Sequence, residues 1–127
     1  MPLVRISLRE GKPAAYRLAI GQRVHQAMVE TINVPAADRF QVITEHPPEG
    51  IIYDPTYLDI DRTDEVVFVQ ITLNAGRSTG QKRALYARIT ELLAETLGVR
   101  PQDVLISLVE VSLENWSFGK GEAQYVS

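Results

Sequence analysis

Apolar side chains crowd two short runs of the chain, residues 3–8 (LVRISL) and 66–73 (VVFVQITL). Their length and their Val, Ile, Leu and Phe content predict β-strands. Gly11 and Gly76 break the runs. The apolar spacing then changes from strand-like to helical. In the second stretch Leu85, Ile89, Leu92, Leu93 and Leu97 recur on one helical face, behind a Ser78-x-x-Gln81 capping box. In the first, Leu18, Val24, Ala27, Met28 and Ile32 supply the face and Pro13 suits the first turn. Gly21 weakens that helix. Val34-Pro35 and Val99-Arg100-Pro101 end the two helices, because proline disfavours helix in the residue before it. A further strand is predicted after each, at 39–45 and 104–111.

The two stretches are copies. Sliding the sequence by 65 positions lays Val4 on Val69, Ile6 on Ile71, Gly11 on Gly76, Asp38 on Asp103 and Glu45 on Glu110, without a gap. Glu30-Thr31-Ile32-Asn33-Val34 falls on Glu95-Thr96-Leu97-Gly98-Val99. The unit is strand–helix–strand, made twice, and a helical crossover joins parallel strands. The predicted fold is α/β: two βαβ pseudo-repeats forming a four-stranded sheet with two helices on one face. The whole chain, 1–127, is expected to be one domain. Its pseudo-repeats span about 1–46 and 66–111. A connector, 47–65, holds a short strand over 51–53 and a run of acids, and the tail is 112–127. Two helices cover one sheet face only. Residues 66–73 are apolar at nearly every position, so the other face calls for burial against another chain.

Composition narrows the partners. Thirteen Lys and Arg against sixteen Asp and Glu leave a net charge of −3, which disfavours nucleic acid. The chain has no cysteine, which excludes a disulfide scaffold, a thiol nucleophile and a Cys-based zinc site. With only His25 and His46, a zinc site is not expected, and the acids Asp54, Asp59, Asp61, Asp64 and Glu65 lack calcium-loop spacing. The start, MPLVRISLRE, carries Arg5 and Arg9 where a signal peptide needs an apolar run. No stretch approaches the ~18 apolar residues that span a bilayer. A cytoplasmic protein with no membrane partner, no metal and no cofactor is the expectation.

Few residues remain for chemistry. If Met1 is removed, Pro2 becomes a secondary amine; an α-amino group titrates at about 7.7–8.0 in water, and apolar surroundings push it down. A retained Met1 would make it an amide without basicity. The plain alternative is that Pro2 is only a permissive second residue. Gly76-Arg77-Ser78-Thr79-Gly80 lies between a strand and a helix. It lacks the GxxxxGK[ST] spacing of a nucleotide loop. Free N–H groups beside an arginine nevertheless suit a carboxylate. The alternative is a solvated Arg77 in a capped turn, and Lys12, its repeat partner, reads as surface. Asp38 is either a turn residue, like Asp103, or orients a water or carbonyl. His25 is either packed in its helix or binds substrate. Trp116 and Phe118 wall a pocket or seal the core, and Tyr53, Tyr57 and Tyr125 stay open between the two.

A Pro2 start, two strand–helix–strand units and an arginine heading the second helix resemble the tautomerase superfamily. More specifically the chain is similar to malonate semialdehyde decarboxylase and its relatives. The resemblance is carried by MPL, Glu10-Gly11, His25 with Ala27-Met28-Val29, Val34-Pro35-Ala36 with Asp38-Arg39, Leu108-Val109-Glu110 and Trp116-Ser117-Phe118-Gly119. It implies a homotrimer with active sites near subunit boundaries. It also implies Pro2 as general base or acid, Arg77 on the substrate carboxylate, Asp38 assisting, and Trp116 and Phe118 as an apolar wall. One departure matters. The decarboxylase has Arg-x-Arg where this chain has Ala75-Gly76-Arg77. One guanidinium anchors a carboxylate, but a second group to polarise the adjacent carbonyl is gone. Decarboxylation of a 3-oxo acid needs that polarisation, whereas keto–enol proton transfer needs an anchored substrate and one well-placed amine. The expected function is tautomerisation of a small 2-oxo acid. The alternatives are a decarboxylase or hydratase of a 3-oxo or unsaturated acid, and a trimeric binding protein without turnover.

Overall fold

The computed structural model describes residues 2–127; Met1, on which the freeing of Pro2 depends, lies outside the described residues. Six elements carry the fold: β1 (Leu3–Arg9), α1 (Ala14–Ile32), β2 (Gln41–His46), β3 (Val67–Asn74), α2 (Thr79–Leu97) and β4 (Val104–Val111). The two helices have equal length and begin 65 residues apart, at Ala14 and Thr79. Among the described residues one sheet forms, in the order β2-β1-β3-β4. β1 and β2 pair in parallel, as do β3 and β4, each through its helical crossover. The two units meet at the centre, where β1 and β3 run antiparallel with Val4 opposite Ile71. The four-stranded βαβ duplication read from the sequence is therefore the architecture.

Helix ends follow local chemistry. Ser78 Oγ accepts from Gln81 N at 3.1 Å while Ser78 N donates to Gln81 Oε1 at 3.0 Å, completing the capping box. α1 has no such box; Pro13 stands just before the helix, at its N-cap, rather than within its first turn. Asn33 (φ 59°) and Gly98 (φ 68°) close the helices in the left-handed conformation. Gly21, costly to helix propensity, has a packing reason. A Cβ there would stand 2.6 Å from Gln41 Oε1, whose side-chain amide donates to the Gly21 carbonyl at 2.8 Å.

Both helices pack on one face of the sheet. Val4, Ile6 and Leu8 of β1 and Val69, Ile71 and Leu73 of β3 meet Ile20, Val24 and Met28 of α1 and Leu85, Ile89 and Leu93 of α2, all buried. The opposite face is open in the single chain: Phe68 is half-buried, and Val42, Leu105 and Val109 are exposed. The connector departs from expectation. Residues 51–53 form no strand; two short 3₁₀ turns, Pro48–Gly50 and Tyr57–Asp59, flank an irregular path. Pro47 and Pro48 lack N–H donors just after β2 and end its ladder, and Ile51 turns into the interior instead. No helix among the described residues is long and apolar enough to cross a membrane.

Candidate active site

The antiparallel pairing of β1 with β3 brings the start of β1 to the end of β3, with Leu3 opposite Thr72. Pro2, just ahead of β1, is buried. The N–H of Val4 donates to the carbonyl of Phe40 at 3.0 Å, which sets the approach to β2 beside Pro2. The tail closes the third side. Trp116 and Phe118 stack with ring centroids 5.4 Å apart and planes at 15°, and Tyr125 meets Phe118 edge-on at 5.0 Å. Gln124 fixes this turn, accepting from Phe118 N at 2.9 Å and donating to Gly119 O at 2.8 Å. The result is a cavity of about 210 Å³ lined by Pro2, Leu3, Phe40, Trp116, Ser117 and Phe118.

Asn74, the last residue of β3, joins this wall to Arg77. Its side-chain oxygen accepts from Trp116 Nε1 at 2.7 Å, and its backbone carbonyl accepts from Arg77 Nη1 at 3.2 Å. Arg77 Nη2 donates to the carbonyl of Ile32 at 3.1 Å, so the guanidinium bridges the end of β3 and the last turn of α1. Arg77 does not itself line the cavity. Three backbone donors beside it are occupied from within the chain. Ser78 N and Gln81 N belong to the capping box, and Gly76 N–H reaches Glu110. Glu110 is held below the ordinary carboxyl range, chiefly by the Lys82 ammonium at 2.8 Å and further by Gly76 N–H and the nearby Arg77 charge. The guanidinium keeps three N–H groups for an external carboxylate after its two carbonyl bonds.

Asp38 sits half-buried in the turn after α1, its N–H on the carbonyl of Pro35 at 2.9 Å, two residues before Phe40. His25 stands one layer back on α1. Its Nε2 is 2.8 Å from the carbonyl of Ala36, an arrangement that assigns the proton to Nε2. His25 thus braces the turn that carries Asp38 and is not among the cavity-lining residues. Of the residues singled out in the sequence, the structure brings Pro2, Trp116 and Phe118 directly together. Phe40 and Asn74 were missed. Asn74 had a readable signal: a polar residue closing an apolar strand just ahead of the Gly76–Arg77 turn. Phe40, an exposed aromatic in an irregular segment, had none. Among the described residues no group of His, Asp and Glu is arranged to hold a metal ion.

A duplicated βαβ sheet with a buried proline lining an apolar cavity defines a class, and comparison with known proteins agrees. A family model described as tautomerase enzyme matches residues 38–119, and a second of the same description matches residues 2–59. The chain belongs to the tautomerase family. It is 44% identical to the probable tautomerase YusQ of Bacillus subtilis (strain 168), over 99% of both chains. A malonate semialdehyde decarboxylase solved with the inhibitor 3-bromopropiolate is 41% identical, with a TM-score of 0.91 over 97% of this chain and 93% of that one. A second such decarboxylase, described as having decarboxylase and hydratase activities, is 34% identical, also at 0.91, over 97% and 95%.

Proposed function

We propose that the protein tautomerises a small 2-oxo acid, with the amine of Pro2 moving a proton between the α-carbon and the enol oxygen or a second carbon. The observation that carries this reading is the buried Pro2 lining a cavity walled by Trp116 and Phe118. Burial among apolar rings disfavours a charged amine, which brings it toward the neutral base needed near pH 7. Arg77, bonded to the carbonyl of the same Asn74 whose side chain holds Trp116, takes the substrate carboxylate. Trp116 and Phe118 exclude water. A homotrimer would cover the open sheet face and close the cavity from a neighbouring subunit. Ketonisation of an enol of the phenylpyruvate type tests the reading. Wild-type turnover and its loss in Pro2→Ala are expected; equal rates would overturn it. Light scattering reads the assembly, three chains being expected and a single chain refuting the trimer.

The 41% identity to a malonate semialdehyde decarboxylase favours a second reading, decarboxylation or hydration of a 3-oxo or unsaturated acid with Asp38 assisting. Ala75, where that enzyme family has an arginine, speaks against it, because carbonyl polarisation then falls to fewer donors. Carbon dioxide release from malonate semialdehyde, lost in Asp38→Asn, would establish it. Both readings require loss of Met1, which intact mass of freshly purified, untagged protein reports. A retained Met1 would leave a binding protein without turnover.

A further inference from the structure

The 65-residue shift carries the surroundings of Arg77 to a second place in the chain. Gly11 and Gly76 share the same left-handed turn, at φ 112° and 122°. The ion pair Arg17–Glu45, 3.0 Å, repeats Lys82–Glu110, 2.8 Å. In this register Lys12 stands where Arg77 does, Arg9 where Asn74 does, Tyr53 where Phe118 does, and Val67 where Pro2 does. The strands obey the same symmetry: Ser7 pairs with Phe68 at one end of the sheet centre as Leu3 pairs with Thr72 at the other.

A cavity of about 250 Å³ opens at this second place, with Leu8, Arg9, Lys12, Tyr16, Glu65 and Val67 among its walls. It differs from the first in its cations. Arg77 gives two of its N–H groups to backbone carbonyls, whereas Lys12 and Arg9 meet side-chain carboxylates. Lys12 Nζ is 2.9 Å from Glu65 and Arg9 Nη2 is 3.4 Å from Asp64. Tyr53 OH donates to the same Asp64 at 2.6 Å. Both carboxylates come from the end of the connector and are mostly exposed, 67% for Asp64 and 58% for Glu65. Exposed pairs of this kind hold weakly and exchange readily. Arg9 Nε, buried, meets no acceptor among the described residues, so a donor is left unmatched here. The Tyr16 ring lies 5.2 Å from Lys12 Nζ and the Tyr53 ring 6.0 Å from the Arg9 guanidinium, flanking both charges with aromatic surface.

We propose that this cavity is a second binding site for small carboxylates, in which Asp64 and Glu65 are built-in competitors. An external carboxylate displaces one or both and takes Lys12 and Arg9 in their place. The site binds without turnover, because Val67 lies within the strand and offers an amide, not an amine, where Pro2 offers its nitrogen. The proposal stands apart from the role given to Pro2.

Titration of the full-length protein with malonate, followed by amide NMR at constant ionic strength, tests it residue by residue. Gly11 and Lys12 amides are expected to shift saturably, separately from those of Gly76 and Arg77. Lys12→Gln, at a half-exposed side chain that should not disturb folding, is expected to weaken this response at least tenfold and to leave enol turnover unchanged. The double variant Asp64→Asn with Glu65→Gln is expected to tighten it severalfold. Absence of the Gly11 and Lys12 shifts, or identical shifts in Lys12→Gln, would overturn the site. Unchanged or weaker binding in the double variant would overturn the competition, and loss of turnover in Lys12→Gln would overturn the division between the two sites.

Discussion

The indole of Trp116 is tied to the side chain of Asn74 by a 2.7 Å hydrogen bond that spans 42 residues of sequence. The backbone carbonyl of the same Asn74 receives Arg77. One residue at the end of β3 therefore sets both the wall of the cavity and the cation proposed to anchor substrate.

Asn74→Leu removes the side-chain acceptor but keeps the carbonyl. A hydrogen bond of this kind contributes about 1 kcal/mol, and an indole N–H left unmatched costs about 1–3 kcal/mol. The expected outcome is a fall in kcat/KM for the enol substrate of about tenfold, one factor of ten per 1.4 kcal/mol. Steady-state kinetics checks it, with circular dichroism showing an intact fold.

Phe118 is packed between Trp116 and Tyr125 and joins the tail to the cavity wall. Each aromatic pair contributes about 0.5–1.5 kcal/mol beyond its buried area. Phe118→Ala is expected to loosen residues 119–127 and admit water to the cavity. Limited proteolysis should cut the tail faster, and turnover should fall.

Glu110 and Glu30 are both held below the ordinary carboxyl range, chiefly by hydrogen bonds from Lys82 and Arg88 respectively. A carboxyl whose pKa is lowered by folding adds stability above its unfolded value of about 4.3, and that stability is lost as pH falls through the lower folded value. Acid should therefore weaken the protein below about pH 4 in part through these pairs. Lys82→Met is expected to lower Tm slightly at pH 7, where the solvent-screened pair is intact, and to make the acid limb of a Tm-against-pH curve shallower.

Ile89 lies fully buried at the centre of α2, against the sheet. Truncating a large aliphatic core residue costs about 2–5 kcal/mol, the lost burial plus the cavity left behind. Ile89→Ala is expected to lower the urea midpoint strongly without altering the m-value, as equilibrium unfolding would report.

The reading of the elements held where the signal was local. Helical periodicity, a capping box and prolines after the helices placed α1 and α2 to within a residue or two, since each depends on side chains a few positions apart. The strand expected at 51–53 failed because Ile51 and Ile52 satisfy an apolar pattern without saying whether a neighbour is there to pair. Ile51 is buried and Ile52 is exposed, on a path with no ladder.

The sequence alone determined a duplicated βαβ unit, its 65-residue register, and the residue types on offer: a proline at position 2, an arginine heading a helix, and two rings in the tail. These are matters of spacing and chemistry carried along the chain. Only the tertiary structure decided that β1 and β3 run antiparallel at the sheet centre. That pairing lays the end of β3 beside the start of β1, so Trp116, held by Asn74, and Phe118 gather around Pro2, and it lays Lys12 beside Glu65 at the opposite end. Contacts of this range depend on which strand edges meet once both units have folded, and no local pattern encodes that choice.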